Sequence, residues 1–261
     1  MTAVAAALLC FVLLVPAEAG TSAARPARRP PVALTASPAH VTLRGSARTT
    51  VRLANVGASA VVVDVTRAGF ALDLRGRPEV VARANSRAAS GWLTLRPRRL
   101  ALRPGQSGVL TVASRLPLRA EPGDHDALVL MTTRPFRATG VAVRMRIGVV
   151  VVVRAPGKIV RRVEPRALRI RRATAIRRVL ELLLANRGNV TETLGKGQVV
   201  VSLTQRGKPV ATLVPAPREL RPRTSGVLPL VYRGSARGQA AAHVRVVVGG
   251  RAALRTFRIR L

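Results

Sequence analysis

The chain predicts an all-β protein: two tandem immunoglobulin-like β-sandwich domains after an N-terminal signal peptide. Short apolar runs separated by Gly and Pro recur along its whole length, the pattern of a sandwich. Hydrophobic residues make up 48% of the chain but aromatics only 2%, so the cores must be aliphatic. The chain also repeats itself. Leu53-Ala54-Asn55-Val56-Gly57 returns as Leu184-Ala185-Asn186-Arg187-Gly188, 131 positions later. Leu102-Arg103-Pro104-Gly105-Gln106-Ser107-Gly108-Val109-Leu110 returns as Leu220-Arg221-Pro222-Arg223-Thr224-Ser225-Gly226-Val227-Leu228, 118 positions later. The order is kept and the offsets differ by 13 residues, which predicts one unit used twice with a loop shortened in the second copy.

Residues 1–19 read as a signal peptide: an apolar run over residues 4–15, then Pro16 and the small-x-small pattern Ala17-Glu18-Ala19 before Gly20. The run is short for a membrane span, so no transmembrane anchor is expected after cleavage. Cys10, the single cysteine, lies inside this run, so the processed chain has no disulfide available. Residues 20–31 form a Pro/Arg-rich linker. The first sandwich is expected over residues 32–156, with strands at 41–43, 49–53, 61–65, 108–112, 127–131 and 141–153. The Ala-rich, polar stretch 80–90 reads as a mobile loop or a short helix beside Trp92. Residues 147–153 are intensely apolar but number only seven between Arg146 and Arg154, which fits a buried strand. Gly157 marks the seam, and the second sandwich takes residues 157–261, with strands at 167–170, 179–184, 199–203, 227–231, 244–248 and 257–261. Composition over residues 173–185 favours helix. The repeat aligns Leu184-Ala185-Asn186 with a strand, and strand is the expectation.

Among the motifs, Pro104-Gly105 should fix a turn, since Pro presets φ and Gly accepts positive φ; Pro122-Gly123 should do likewise. Trp92, the only Trp, reads as a buried anchor in an alternating strand or as an exposed platform for carbohydrate stacking. Asp124-His125-Asp126 is the only cluster resembling chemistry. A metal site needs three or four ligands, and His40 and His243 have no ligand-like neighbours. Strand alternation puts Asp124 and Asp126 on one face and His125 on the other, the pattern of a polar turn leading into a strand. No nucleophilic Ser motif or phosphate loop occurs, so the expectation is a non-enzyme with no catalytic residue, cofactor or metal. Asn189-Val190-Thr191 matches a glycosylation acceptor, a short motif that carries little weight by itself, and no glycosylation is expected.

Gly91-Trp92-Leu93-Thr94-Leu95 with Leu100-Ala101-Leu102-Arg103-Pro104-Gly105-Gln106 resembles the first-domain signature of WxL-interacting proteins of the DUF916 type. Leu116-Pro117-Leu118-Arg119-Ala120-Glu121-Pro122-Gly123-Asp124-His125 is similar to that domain's Pro-Gly-Asp-His element, and Leu184-Ala185-Asn186-Arg187-Gly188-Asn189-Val190 resembles the turn opening its second domain. The resemblance covers most of residues 32–261. It implies two Ig-like domains outside a Gram-positive cell, the first associated with peptidoglycan binding and the second with attachment to a host or partner surface. Members usually end in a transmembrane helix and a basic tail, whereas this sequence stops at Arg258-Ile259-Arg260-Leu261.

The formal charge is +34, carried by 42 Arg and 3 Lys against 11 acids. Such a field attracts anionic polymers, although GC-rich codon usage also explains abundant Arg. Residues 32–156 carry 19 basic and 6 acidic groups, residues 157–261 carry 23 and 4, so the second domain is the better polyanion binder on charge alone. Export and scarce aromatics argue against a specific nucleic acid partner. The function expected is an exported, surface-associated binding or scaffold protein whose partners are peptidoglycan, an anionic glycopolymer or WxL-type surface proteins. The alternative is a secreted module of the pilus-chaperone kind that donates a strand, for which residues 147–153 would serve. No pair of basic residues stands out for capturing a partner's C-terminus.

Overall fold

The computed structural model describes residues 29–81, 88–134, 136–138, 141–172, 174 and 177–261. Residues 1–28, which include the expected signal peptide and most of the expected linker, lie outside them. Twelve strands make the first sandwich: β1 (Leu34–Ser37), β2 (His40–Arg44), β3 (Arg48–Asn55), β4 (Val61–Leu72), β5 (Pro78–Val81), β6 (Leu93–Arg96), β7 (Arg99–Leu102), β8 (Ser107–Ser114), β9 (Gly123–Thr133), β10 (Phe136–Ala138), β11 (Val141–Val143) and β12 (Arg146–Ala155). Nine make the second: β13 (Val163–Arg172), β14 (Arg178–Asn186), β15 (Glu192–Leu194), β16 (Val199–Gln205), β17 (Lys208–Leu213), β18 (Arg218–Leu220), β19 (Ser225–Tyr232), β20 (Gln239–Val248) and β21 (Arg251–Arg260).

In the first sandwich a sheet ordered β1-β3-β8-β6 faces one ordered β2-β12-β9-β4-β5, with β7 also on β4. In the second, β13-β14-β19 faces β17-β16-β20-β21, and β15 pairs with β18. Alternation drives both. Val51 and Leu53 of β3 meet Val149, Val151 and Val153 of β12 in one aliphatic core, while Leu180, Leu182 and Leu184 meet Val199, Val201 and Leu203 in the other. Strand β9 is buried on both faces. Ala127, Val129 and Met131 enter the core, and Leu128 and Leu130 pack with Phe70 in a separate apolar cluster.

The repeated sequence is a repeated knot. Asn55 Nδ2 donates to the carbonyls of Ser59 (2.8 Å) and Leu102 (3.1 Å), and its Oδ1 accepts from the Gly57 amide. Asn186 Nδ2 donates to Val190 (2.8 Å) and Leu220 (3.0 Å), and its Oδ1 accepts from Gly188. Both side chains are buried, so these bonds satisfy groups that water cannot reach. Gly57 and Gly188 are required for space: a Cβ would come within 2.6 Å of the Ala33 nitrogen and 2.3 Å of the Val160 carbonyl, respectively.

Some elements differ from the expectation. Trp92 lies in a single 3-10 turn, Ser90–Trp92, and not in a strand, because its amide bonds back to the Ala89 carbonyl before β6 begins. The run 141–153 is two strands. Thr133, at the end of β9, takes both backbone groups of Met145, and this separates β11 from β12. Of the stretch 80–90, residues 80–81 extend β5 against β4, Ala88 bridges to Asp126, and residues 82–87 lie outside the described part. The short strands β15, β17 and β18 had no sequence signal, being interrupted by Pro or only three residues long.

Candidate functional site

Two features lie together on the β9–β12 sheet: a charged junction between the sandwiches and an open strand edge. The junction starts at β9. Gly123 sits at φ +107, and a Cβ there would meet the Asn189 carbonyl at 2.1 Å. Gly thus lets the first sandwich touch the loop after β14, where the Asp124 amide donates to that carbonyl and Asn189 Nδ2 donates to the Pro122 carbonyl. Asp124, 1% exposed, accepts from Arg154 Nε (2.6 Å) and Nη2 (2.9 Å) and from the Thr191 amide (2.8 Å). Burial pushes its carboxyl up, but the Arg154 and Thr191 hydrogen bonds outweigh burial and hold it below its ordinary value.

Two residues on, Asp126 pairs with Arg221 of the second sandwich. Arg221 is 4% exposed and lies over the Phe70 ring at 3.9 Å. Burial is the larger influence on Asp126 and pushes its carboxyl up against the pull of Arg221. A third contact comes from the turn between β4 and β5, where the Leu74 carbonyl accepts from the Val227 amide (2.7 Å) and from Arg218 (3.0 Å). Between these contacts lies a cleft of about 500 Å³ lined by His40, Phe70, Leu72, Val150, Arg218 and Arg221. Its polar groups already have partners: Arg75 pairs with Glu181 and Arg221 with Asp126, the His40 ring lies beside Glu219, and Arg218 donates to the Leu74 and Val227 carbonyls.

Beside the cleft runs β12. On one side β9 pairs with it from Arg146 to Ala155; on the other β2 pairs only from Val150 to Arg154. Residues 146–149 therefore have a strand neighbour on one side alone among the described residues. The Val150 amide donates to Ala39 and the Arg154 carbonyl accepts from Gly45, both on the β2 side. The two-residue period of a strand then turns the N–H and C=O of Arg146 and Gly148 toward the open side. Ile147 and Val149 point into the core and hold the strand in place. Such an edge can accept another strand.

The residues singled out in sequence separate into three places. Asp124, Gly123 and Pro122 form the junction, which spacing alone could not show because their partners lie about 67 residues away. His125, 1% exposed, turns the other way: its Nε2 meets the Glu121 carbonyl at 2.7 Å and its ring lies 4.3 Å from the half-buried Trp92 ring, tilted 44°. Pro104 and Gly105 make a turn at the far end, with Gly105 at φ +76 and the Gln106 amide bonded to Arg103. Arg154, Arg221 and Phe70 were missed. Isolated Arg residues carry no signal in a chain with 42 of them. Among the described residues no group of three potential metal ligands occurs, and no helix is long and apolar enough to cross a membrane.

No protein-family model and no curated protein matches the sequence. Solved structures do resemble it. The class 5 fimbriae chaperone CfaA aligns with a TM-score of 0.50 over 86% of this chain and 98% of its own, at 13% identity. A chaperone–tip adhesin complex of CFA/I fimbriae biogenesis aligns with a TM-score of 0.50 over 86% and 98%, at 11% identity. The CsuC–CsuE chaperone–tip adhesion subunit complex of Acinetobacter baumannii aligns at 0.45 over 86% and 97%, with 13% identity. At such identity the first two comparisons speak of fold: the chain is an all-β pair of immunoglobulin-like sandwiches, as in fimbrial chaperones.

Proposed function

We propose that this chain is a non-enzymatic assembly module of the pilus-chaperone kind, working outside the cytoplasm, which binds an extended segment of an exported partner along the open edge of β12. The observation that carries this reading is the half-paired strand: pairing with β2 begins only at Val150, and Arg146 and Gly148 turn their backbone groups to a side where no strand pairs with them among the described residues. A partner strand there would gain main-chain hydrogen bonds, each contributing about 0.5–1.5 kcal/mol. In the cleft Arg75 and Arg221 pair with carboxylates and Arg218 is held by two backbone carbonyls, so this reading assigns recognition to the edge and not to capture of a chain end. Export itself rests on the sequence of residues 1–19.

The test is co-production with the exported proteins encoded next to this chain. A stoichiometric complex is expected, with slowed hydrogen exchange at the Gly148 amide. Arg146→Pro should abolish the complex while the urea midpoint holds, because this amide does not face β9; Gly148→Pro should also abolish it, with some loss of stability, since a Cβ there would lie 3.0 Å from Leu128 Cδ1. A complex that survives both variants would overturn the reading. So would sedimentation with isolated peptidoglycan that ignores both, which would instead favour the wall-binding role that the resemblance to WxL-interacting proteins implies.

A further inference from the structure

Carboxylates are unevenly placed in this molecule. Asp64 pairs with Arg99 and Arg134, Asp124 with Arg154, Glu164 with Arg162 and Arg166, and Glu192 with Arg161. None of these pairs lies on the sheet β17-β16-β20-β21. Its strands carry Lys208, Arg245, Arg251, Arg255, Arg258 and Arg260 and no acidic residue. Beyond Glu219 the chain has nine Arg and no Asp or Glu at all. Codon usage accounts for abundant Arg but gives no reason for the acids to vanish from this stretch.

Register sorts these cations. Ala240, Ala242, Val244 and Val246 of β20 are buried, so their cross-strand partners Ile259, Phe257, Arg255 and Ala253 point inward too. Arg255 accordingly reaches the Pro165 carbonyl (3.0 Å) and lies near the Phe257 ring. The outer face receives the other set: Arg245 opposite Leu254, His243 opposite Thr256, Ala241 opposite Arg258 and Gln239 opposite Arg260. Arg258 and Arg260 are about 6.7 Å apart, and the row from Arg245 to Arg260 runs about 20 Å along β21. Between the cations, His243 is held by the Thr204 hydroxyl on one ring nitrogen and the Thr256 hydroxyl on the other, each at 3.0 Å. Arg245, Arg258 and Arg260 have no carboxylate within 4 Å among the described residues.

We infer that this outer face is a binding surface for a linear phosphodiester-linked polyol, which lies along β21 with its phosphates on Arg245, Arg258 and Arg260. Guanidinium groups match phosphate with paired hydrogen bonds. The hydroxyls and imidazole between them suit a polar linker. No Phe, Tyr or Trp lies on this face to stack bases, which disfavours single-stranded nucleic acid. Leu254, 74% exposed, is the only large apolar side chain standing out from it, too little to enter a bilayer.

The first sandwich supplies the control, since the sheet β1-β3-β8-β6 also lacks acids and carries Arg48, Arg52 and Arg96 on its strands. The experiment measures binding of a labelled oligo(glycerol phosphate) to the full chain by fluorescence anisotropy across salt concentrations. The triple variant R245Q/R258Q/R260Q should lose roughly tenfold or more in affinity, and its log–log salt slope should fall by about two, at about 0.7 per phosphate contact. The variant R48Q/R52Q/R96Q should retain affinity within about threefold, as should Gly148→Pro, which separates this surface from the β12 edge. Equal losses in the two triple variants would reduce the effect to net charge and overturn the assignment. Absence of oligomer binding would do the same. Tighter binding of a single-stranded DNA with equal phosphate number, or of vesicles containing anionic lipid, would reassign the face to that partner.

Discussion

The two corners made by the repeat have the same backbone and opposite surroundings. In the first, Arg103 precedes the turn and is exposed, and Gly105 occupies the left-handed position at φ +76. In the second, Arg221 takes the place of Arg103 and is 4% exposed, while Arg223 holds the left-handed position at φ +56. The first corner faces solvent. The second has become the joint: Arg221 pairs with Asp126 over the Phe70 ring, and Arg223 reaches Glu121. One turn therefore ends a sheet in one copy and fastens two domains in the other. The surroundings, and not the local conformation, decide what the residue contributes.

Arg221→Ala and Arg103→Ala give the sharpest test of that contrast. The first should cost about 3 kcal/mol because it leaves the half-buried Asp126 without its counter-charge and empties the buried site of Arg221. The second should stay within about 0.5 kcal/mol, as surface changes do. Urea denaturation of each variant measures both, and similar losses would mean that the joint contributes no more than an exposed corner. Next in size are Asn55→Ala and Asn186→Ala. Each removes three hydrogen bonds from a buried knot, so each should cost about 3 kcal/mol, and the two values should agree within about 1 kcal/mol. Here equality supports the shared architecture, and a large difference would show that the copies carry unequal loads. Smallest is the exchange at the left-handed position. Gly105→Ala should destabilise and Arg223→Gly should relieve strain, each by about 1 kcal/mol, less whatever the Glu121 contact contributes in the second case. A net loss from Arg223→Gly would show that this exposed contact outweighs the strain.

Strands were legible where alternation was long. β3, β8, β14, β16, β19 and β20 each fall on a predicted run, because one buried face imposes a period of two on the residues. The repeat pointed to Asn55 and Asn186, although what they do appeared only with their partners, the carbonyls of Leu102 and Leu220. Trp92 misled, since a residue beside alternating strand sequence can still belong to the turn that leads into it.

By itself the sequence determined the all-β class, the aliphatic cores, the use of one unit twice and the excess of positive charge, since composition and periodicity are local properties of the chain. Only the tertiary structure decided which charges are neutralised and which stand alone, because each pairing joins residues remote in sequence. Asp126 is followed by two apolar residues, yet its partner arrives from Arg221 in the other sandwich. The same holds for β12. Its apolar run marked a buried strand, but that β2 covers only residues 150–154 and leaves 146–149 open is a matter of where another strand ends. Hydrogen bonding across a sheet is a relation between segments, and no single segment encodes it.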